Sequence, residues 1–227
     1  MATFQIDFSQ LNTVVFSGGG IKGVTYIGFM QALLEHITLE QITHYIGASA
    51  GSIFSLFLVL GYTLDEIKKI IFNYDFCNIL SLEEPSIDNI LCNLGLADGE
   101  EVKKFFVELI DVKLNLKDIT FKELYEKTKI KYTLAVTNFT KQKLEYWNYE
   151  TKPNMSIILG VLASSRVPLF FTPLIIDDNI YLDGGIINNY PINLFTDRMQ
   201  EVIGVYLYPE TTNVNINNFK DKLIKNF

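Results

Sequence analysis

The chain has 227 residues, of which 48% are apolar and 13% aromatic. This size and composition allow one domain with a substantial core and exclude a disordered chain. Lys and Arg total 19 against 26 Asp and Glu, a net charge of −7, which argues against nucleic acid as a partner because phosphate binding needs basic patches. We expect a single domain over residues 1–227, with a core of about 12–208 and a polar tail at 209–227.

Targeting and membrane signals are weak. Residues 1–11 lack the basic and long apolar regions of a secretory signal, and Cys77 and Cys92 form neither a CxxC pair nor a disulfide framework. Residues 45–64 are uncharged and long enough to cross a bilayer. The GASAGS turn inside this stretch instead favours a buried strand, a turn and a buried helix. We expect a cytoplasmic or peripheral membrane protein.

Apolar periodicity predicts alternating strands and helices. The first four elements are a strand at 12–16, a helix at 22–36, a strand at 44–47 and a helix at 52–60. This order is typical of a parallel sheet in an α/β fold. Helical patterns follow at 64–72, 99–110, 121–128 and 156–165, with a break at 81–85. Later strands are predicted at 132–138, 144–148, 180–182 and 202–208.

A GxSxG motif, Gly47-Ala48-Ser49-Ala50-Gly51, lies between a predicted strand and a predicted helix. A nucleophile at such a turn has a strained backbone, and the flanking glycines let the strand and the helix pack closely. Its hydroxyl lies at the helix N-terminus, where the positive end of the dipole favours developing negative charge. We predict that Ser49 is a nucleophile.

A serine hydroxyl needs a base, and the histidines are poorly placed to supply one. His36 and His44 both precede Ser49, whereas an α/β-hydrolase has its histidine after the serine and the acid. We expect both histidines to be structural. The base is then a carboxylate or a lysine.

Asp183 follows a short apolar run and precedes two glycines. A carboxylate there would end a strand, at the edge of the sheet where α/β sites gather, and partial burial would raise its pKa to that of a usable base. The same dipeptide also suits an ordinary turn aspartate. Asp177 and Asp178, just before Asn179, are typical of an exposed hairpin turn.

The sequence from Ser17 to Gly23 contains Gly18, Gly20 and Gly23 in a GxGxxG spacing between a strand and a helix. A dinucleotide site would require an acid at the end of the second strand, and residues 46–49 contain none. A Walker A loop fails as well, because Gly23 follows Lys22 where Ser or Thr is required.

An oxyanion hole explains both glycine motifs together. The backbone N–H groups of Gly18, Gly19 and Gly20 would point at an ester oxyanion above the serine, where each donor lowers the barrier by about 3 kcal/mol. Lys22 has two interpretations: it fixes this loop or binds an acidic head group, or it is a solvated lysine at a helix start.

These motifs together resemble the patatin-like phospholipase family, whose pattern is a GGGxRG or GGGxKG loop, a GxSxG turn and a DGG or DGA sequence, in that order. The corresponding residues run from Gly18 to Gly23, from Gly47 to Gly51 and from Asp183 through Gly184 to Gly185. Lesser similarities occur at 120–125, 137–138, 163–173 and 188–191. The resemblance covers about residues 14–208.

The resemblance implies a patatin-like three-layer α/β fold, with a mainly parallel central sheet and helices on both faces. It also implies a Ser49–Asp183 dyad, an acyl-enzyme intermediate and lipid acyl hydrolysis of the phospholipase A type, with no metal and no cofactor. Expected partners are a lipid ester and, transiently, a membrane surface; the oligomeric state stays open. A general carboxylesterase or neutral-lipid hydrolase, or a non-catalytic lipid-binding relative, is the alternative.

Two residues depart from the family pattern. Arg166 stands where the family has a small residue, and Thr172 stands where proline is common. Arg166 is either directed at a lipid head group or an exposed residue at a helix end.

Overall fold

The computed structural model describes residues 7–74 and 94–208. The two cysteines, the predicted break at 81–85 and the polar tail at 209–227 lie outside the described residues. The strands are β1 (Thr13–Phe16), β2 (His44–Gly47), β3 (Gly95–Ala97), β4 (Lys131–Asn138), β5 (Lys143–Trp147), β6 (Leu169–Phe171), β7 (Leu174–Ile176), β8 (Asn179–Asp183) and β9 (Val202–Val205).

The α-helices are α1 (Tyr26–Leu33), α2 (Ala50–Val59), α3 (Leu64–Asn73), α4 (Glu100–Leu114), α5 (Phe121–Thr128), α6 (Ile157–Ser164) and the single turn α7 (Gly185–Asn188). Short 3-10 helices occur at Gly20–Thr25, Leu39–Gln41, Pro191–Phe195 and Met199–Glu201.

The main sheet has the strand order β7-β8-β4-β2-β1-β9, and β5 also pairs with β4. Its centre is parallel as predicted, because β9, β1, β2 and β4 all run in one direction. Beyond β4 the pairing is antiparallel: β5 and β8 both run antiparallel to β4, and β7 runs antiparallel to β8. Asp177 and Asp178 join β7 to β8 with φ of 48° and 58°; a two-residue turn of this kind forces the two strands to be antiparallel.

The two faces of the sheet are covered unequally. Val14 and Phe16 of β1 face a large core built with the helices, whereas Val15 between them faces the opposite side, as the alternation of a strand requires. On that opposite side Val15 packs with Ile46 and with Phe195 of a 3-10 helix. The prediction of helices on both faces is confirmed, with one face covered thickly and the other thinly.

Three predicted elements differ from the observed ones by more than two residues, and one of them is α4, which continues to Leu114 beyond its predicted end at 110. The helix expected at 22–36 begins as the 3-10 helix Gly20–Thr25 and becomes α-helical only over Tyr26–Leu33. Gly23, inside the 3-10 segment, has a low α-helix propensity. The strand expected at 202–208 ends at Val205. Beyond it the Leu207 N–H donates to Ser17 Oγ at 2.9 Å.

Candidate active site

Ser49 forms the turn between β2 and α2 and has a strained backbone, with φ 51° and ψ −124°. A non-glycine residue in this region stores strain of about 1–3 kcal/mol, and such residues gather at functional sites. Ser49 precedes the first residue of α2, yet its side chain makes no capping hydrogen bond. The hydroxyl therefore lies at the positive end of a helix without being used by that helix.

The glycines on either side of Ser49 are required by close backbone contacts. A Cβ atom on Gly47 would lie 2.3 Å from the carbonyl carbon of Gly51. A Cβ atom on Gly51 would lie 2.4 Å from the carbonyl oxygen of Ser17 and 2.5 Å from that of Phe16. The first turn of α2 thus packs directly on the backbone at the end of β1, as the GxSxG motif predicts.

Strand β4 brings the serine and the aspartate together. Gly47, at the end of β2, lies opposite Leu134 of β4, and Asp183, at the end of β8, lies opposite Val136. The other edge of β4 is occupied by β5, which pairs with the same β4 residues, so β2 and β8 share one edge. Because β2 is parallel and β8 antiparallel to β4, their carboxyl ends meet end to end, next to Ser49.

Ser164, the last residue of α6, holds the two ends at a fixed spacing. Its carbonyl oxygen accepts the Ser49 N–H at 3.1 Å and the Gly184 N–H at 3.3 Å. Its hydroxyl donates to the carbonyl oxygen of Ala135 on β4 at 2.7 Å. One residue therefore ties the serine turn and the aspartate turn to the strand between them.

The Asp183 carboxylate is buried, with 5% of the residue exposed. Its Oδ1 accepts the Gly185 N–H at 2.7 Å, whereas its Oδ2 is buried without a hydrogen-bond partner among the described residues. Burial raises the pKa of Asp183 to about 6, against smaller opposing effects of the Ser49 hydroxyl and the Gly185 N–H. The Ser49 hydroxyl is thus close enough to affect the carboxylate, although no hydrogen bond of standard geometry joins the two.

The glycine loop lies against the serine, since a Cβ atom on Gly18 would come within 3.1 Å of the Ser49 Cβ. The Gly18 N–H, however, donates to the carbonyl oxygen of Asn189 at 2.9 Å. The expectation that all three glycines offer N–H groups to an oxyanion is therefore wrong for Gly18. The N–H groups of Gly19 and Gly20 have no acceptor among the described residues and remain available.

The other predicted motif residues have packing or surface positions. A Cβ atom on Gly23 would lie 3.1 Å from the Ala50 Cβ, and one on Gly184 would lie 2.1 Å from the Ala135 carbonyl oxygen. A Cβ atom on Gly185 would lie 2.9 Å from Asp183 Oδ1. These three glycines let the loops approach one another closely. Lys22 is exposed, which fits a solvated lysine at the rim of the site.

Both histidines lie away from Ser49 and Asp183, which agrees with the expectation that neither is the base. His44 begins β2, at the opposite end of that strand from Ser49, and its Nε2 is 2.9 Å from Thr133 Oγ1. Burial lowers the pKa of His44 to about 3. His36 stacks on Phe8 with ring centroids 4.9 Å apart.

Arg166 is neither an exposed helix-end residue nor a side chain extended into solvent, because only 7% of it is exposed. Its Nη2 donates to the carbonyl oxygen of Asp98 at 2.8 Å, and its guanidinium lies 5.7 Å from the centroid of the Phe171 ring. The Arg166 carbonyl oxygen accepts the Asp183 N–H at 3.0 Å. Burial lowers the pKa of Arg166.

Two residues of the site, Ser164 and Asn189, received no role from the sequence. Both belong to segments that resemble family motifs, but they act through long-range hydrogen bonds of their backbone carbonyls and side chains, which no local pattern reveals. Within residues 7–74 and 94–208, no three His, Cys, Asp or Glu side chains are grouped so that they could hold a metal ion. None of the helices in the described part of the chain has the length and apolar character that a membrane span requires.

The fold and the site define a mixed α/β domain in which a strained serine at a strand–helix turn lies beside a buried aspartate. The family model described as patatin-like phospholipase matches residues 14–196. The chain therefore belongs to the patatin-like phospholipase family, a family of lipid hydrolases.

Individual relatives agree with this assignment. A protein of Invertebrate iridescent virus 6 named probable lipid hydrolase 463L is 33% identical over 85% of this chain and 66% of its own length. The uncharacterized protein YqhO of Bacillus subtilis is 31% identical over 90% of this chain and 75% of its own length. The chain thus spans slightly less than two thirds of the viral relative.

Among solved structures, VipD from Legionella pneumophila has a similar fold. It superposes with a TM-score of 0.64 at 23% sequence identity, over 95% of this chain and 53% of VipD. At this identity the similarity concerns the fold alone.

Proposed function

We propose that the chain is a lipid acyl hydrolase of the phospholipase A type, with Ser49 as nucleophile and Asp183 as its base. One observation carries this proposal: the Ser49 hydroxyl acts on the buried Asp183 carboxylate, whose Oδ2 has no hydrogen-bond partner among the described residues. A buried carboxylate with one oxygen unpartnered is costly to ionise, and the raised pKa of Asp183 suits a base that accepts and returns one proton near neutral pH.

In the proposed first step, Ser49 Oγ attacks the ester carbonyl carbon while its proton moves to Asp183 Oδ2. The carbonyl oxygen becomes an oxyanion, which the Gly19 and Gly20 N–H groups stabilise together with the N-terminus of α2. The bond from the carbonyl carbon to the alcohol oxygen then breaks. The alcohol leaves with the proton held by Asp183, and the acyl group stays on Ser49.

Water completes the cycle. Asp183 takes a proton from the water, whose oxygen attacks the acyl carbon and forms a second oxyanion at the same N–H groups. The bond from the acyl carbon to Ser49 Oγ breaks, the proton returns to Ser49, and the fatty acid leaves. A single carboxylate thus serves both half-reactions. This agrees with the positions of His36 and His44, which lie away from Ser49.

The substrate class rests on the family and on the relative named a probable lipid hydrolase. We propose a glycerophospholipid as the substrate, with neutral lipids and simple carboxylic esters as alternatives. Incubation of the protein with vesicles made from a mixed lipid extract, followed by product profiling, distinguishes them. Release of lysophospholipid and fatty acid supports the phospholipase proposal, whereas diacylglycerol or free fatty acid without lysophospholipid points to a neutral-lipid hydrolase.

A fluorophosphonate probe tests the nucleophile. We expect the wild-type chain to be labelled at Ser49 and the Ser49→Ala variant to remain unlabelled. Ser55→Ala is the matched control, because Ser55 is a buried serine in α2, the helix that follows Ser49, and its hydroxyl donates to the Gly51 carbonyl at 2.7 Å. It should label like wild type. Labelling of Ser49→Ala to the wild-type extent would reject the assignment.

A further inference from the structure

Four segments at the candidate site contain no acidic residue. The chain has 26 Asp and Glu residues, yet residues 17–29, 45–62, 164–176 and 184–196 contain none. These segments include the glycine loop, the serine turn, the end of α6 and the turn after Asp183. Lys22, which is exposed, and Arg166, which is buried, are their only charged side chains. These four segments therefore differ in charge from the rest of an acidic chain, and the neighbouring acids in the described structure are Asp98 and Glu100, whose charges act on Arg166.

Apolar side chains are exposed on the same segments. They are Ile21 (87% exposed), Leu169 (64%), Phe170 (49%), Ile186 (49%) and Ile187 (48%), and we call these five residues the apolar rim. Exposed apolar patches mark interaction surfaces in soluble proteins.

The rim residues are close to the proposed catalytic residues, either in sequence or through a hydrogen-bonded neighbour. Ile21 follows Gly20 in the glycine loop, and Ile186 follows Asp183 by three residues. Leu169 lies three residues after Arg166, whose carbonyl oxygen accepts the Asp183 N–H at 3.0 Å. The rim residues therefore belong to the segments that carry or contact the proposed catalytic groups.

The glycine loop and the turn after Asp183 are also joined to each other. Two hydrogen bonds join Gly18 to Asn189. The Gly18 N–H donates to the Asn189 carbonyl oxygen at 2.9 Å, and the Asn189 Nδ2 donates to the Gly18 carbonyl oxygen at 3.2 Å. Ile21 and Ile187 are therefore exposed residues on two segments that touch each other.

We propose that the apolar rim docks on the surface of a phospholipid bilayer and delivers lipid esters to Ser49. Apolar side chains at an interface enter the boundary between head groups and acyl chains, and carboxylates there would be repelled by anionic lipids. Lys22 at the edge of the rim is suitably placed to meet lipid phosphates. The choice of a bilayer, in preference to a protein partner, follows from this charge pattern and rests in part on the proposed function.

Vesicle binding tests the docking surface. The Ser49→Ala chain, which leaves lipid intact, is mixed with vesicles of phosphatidylcholine and phosphatidylglycerol and separated by flotation. Phe170→Glu and Ile187→Glu, each introduced into this chain, should weaken binding roughly tenfold or more, since each removes apolar contact and adds a charge at the interface. Val112→Glu is the matched control, because Val112 is an exposed aliphatic residue (74%) near the far end of α4.

A soluble short-chain ester separates docking from chemistry. The same substitutions in the otherwise wild-type chain should change hydrolysis of the soluble ester less than twofold and reduce hydrolysis of vesicle lipid in parallel with binding. Equal vesicle binding by the Phe170, Ile187 and Val112 variants would overturn the docking proposal. The docking proposal would also be overturned if the Phe170 and Ile187 variants lost soluble-ester hydrolysis to the same extent as hydrolysis of vesicle lipid. A change of oligomeric state in these variants without a change in vesicle binding would overturn it as well.

The two proposals can fail separately. If the wild-type chain hydrolyses neither ester while Phe170→Glu and Ile187→Glu still abolish vesicle binding, the catalytic proposal fails and the docking surface stands. If both esters are hydrolysed but vesicle binding does not depend on these residues, only the docking proposal fails.

Discussion

Asn189 holds Gly18 with two hydrogen bonds: its carbonyl oxygen accepts the Gly18 N–H at 2.9 Å, and its Nδ2 donates to the Gly18 carbonyl oxygen at 3.2 Å. Asn189 follows Asp183 by six residues, so the turn that carries the aspartate also fixes the glycine loop. The proposed base and the proposed oxyanion donors are in this way positioned by a single segment.

This contact predicts that Asn189→Ala slows turnover. We expect kcat on a soluble ester to fall about tenfold or more with little change in KM, because misplaced oxyanion donors weaken transition-state stabilisation more than ground-state binding. Asn188→Ala is the control, since the Asn188 side chain contacts Tyr146 and Asn193 and not the glycine loop. Equal kcat values for the two variants would contradict a positioning role for the Asn189 side chain.

The pH dependence of turnover should follow the ionisation of Asp183. Its pKa is raised to about 6 by burial, and only the carboxylate can accept the proton of Ser49. We expect kcat/KM on a soluble ester to fall about tenfold per pH unit below a midpoint near pH 6. A rate profile that stays flat down to pH 4.5 would be inconsistent with Asp183 as the base.

The same burial predicts that Asp183→Asn stabilises the fold at neutral pH. The folded-state pKa of about 6 exceeds the ordinary value of 3.8, so folding favours the protonated acid, and this contribution is lost as the pH rises through 6. The variant should gain up to about 3 kcal/mol in the free energy of unfolding at pH 8 and little at pH 4.

Unfolding can be followed by the fluorescence of Trp147, the only tryptophan, which is 1% exposed and packs on Tyr181. Because Asn retains an oxygen that can accept the Gly185 N–H, the comparison isolates the charge of Asp183. A gain of equal size at pH 4 and pH 8 would show that ionisation is not its cause.

Gly51→Ala should destabilise the domain by about 3 kcal/mol or more, because the new Cβ atom would lie 2.4 Å from the Ser17 carbonyl oxygen and backbone atoms cannot yield. Gly28→Ala, in α1, is the opposite case. Nothing lies within 4 Å of its added Cβ atom, and we expect a gain of about 0.5–1 kcal/mol. Chemical denaturation of both variants measures this difference, and a neutral Gly51→Ala would contradict the packing described for the serine turn.

Much of the fold and of the candidate site was predictable from local sequence. The GxSxG motif places Ser49 between a strand and a helix, and the DGG sequence places Asp183 at the end of a strand. Each pattern depends on neighbouring residues, since turns, glycine contacts and apolar alternation act over a few positions. The positions of His36 and His44 before Ser49 likewise indicated that the base is not a histidine.

Only the tertiary structure decided how these pieces meet. The register of β4 places Gly47 and Asp183 two residues apart along one edge, and no local pattern specifies a pairing between residues so distant in sequence. Long-range contacts also occupy the Gly18 N–H and bury Arg166. The sequence by itself therefore determined which groups could perform the chemistry, whereas the packing of distant segments decided which of their atoms are free to do so.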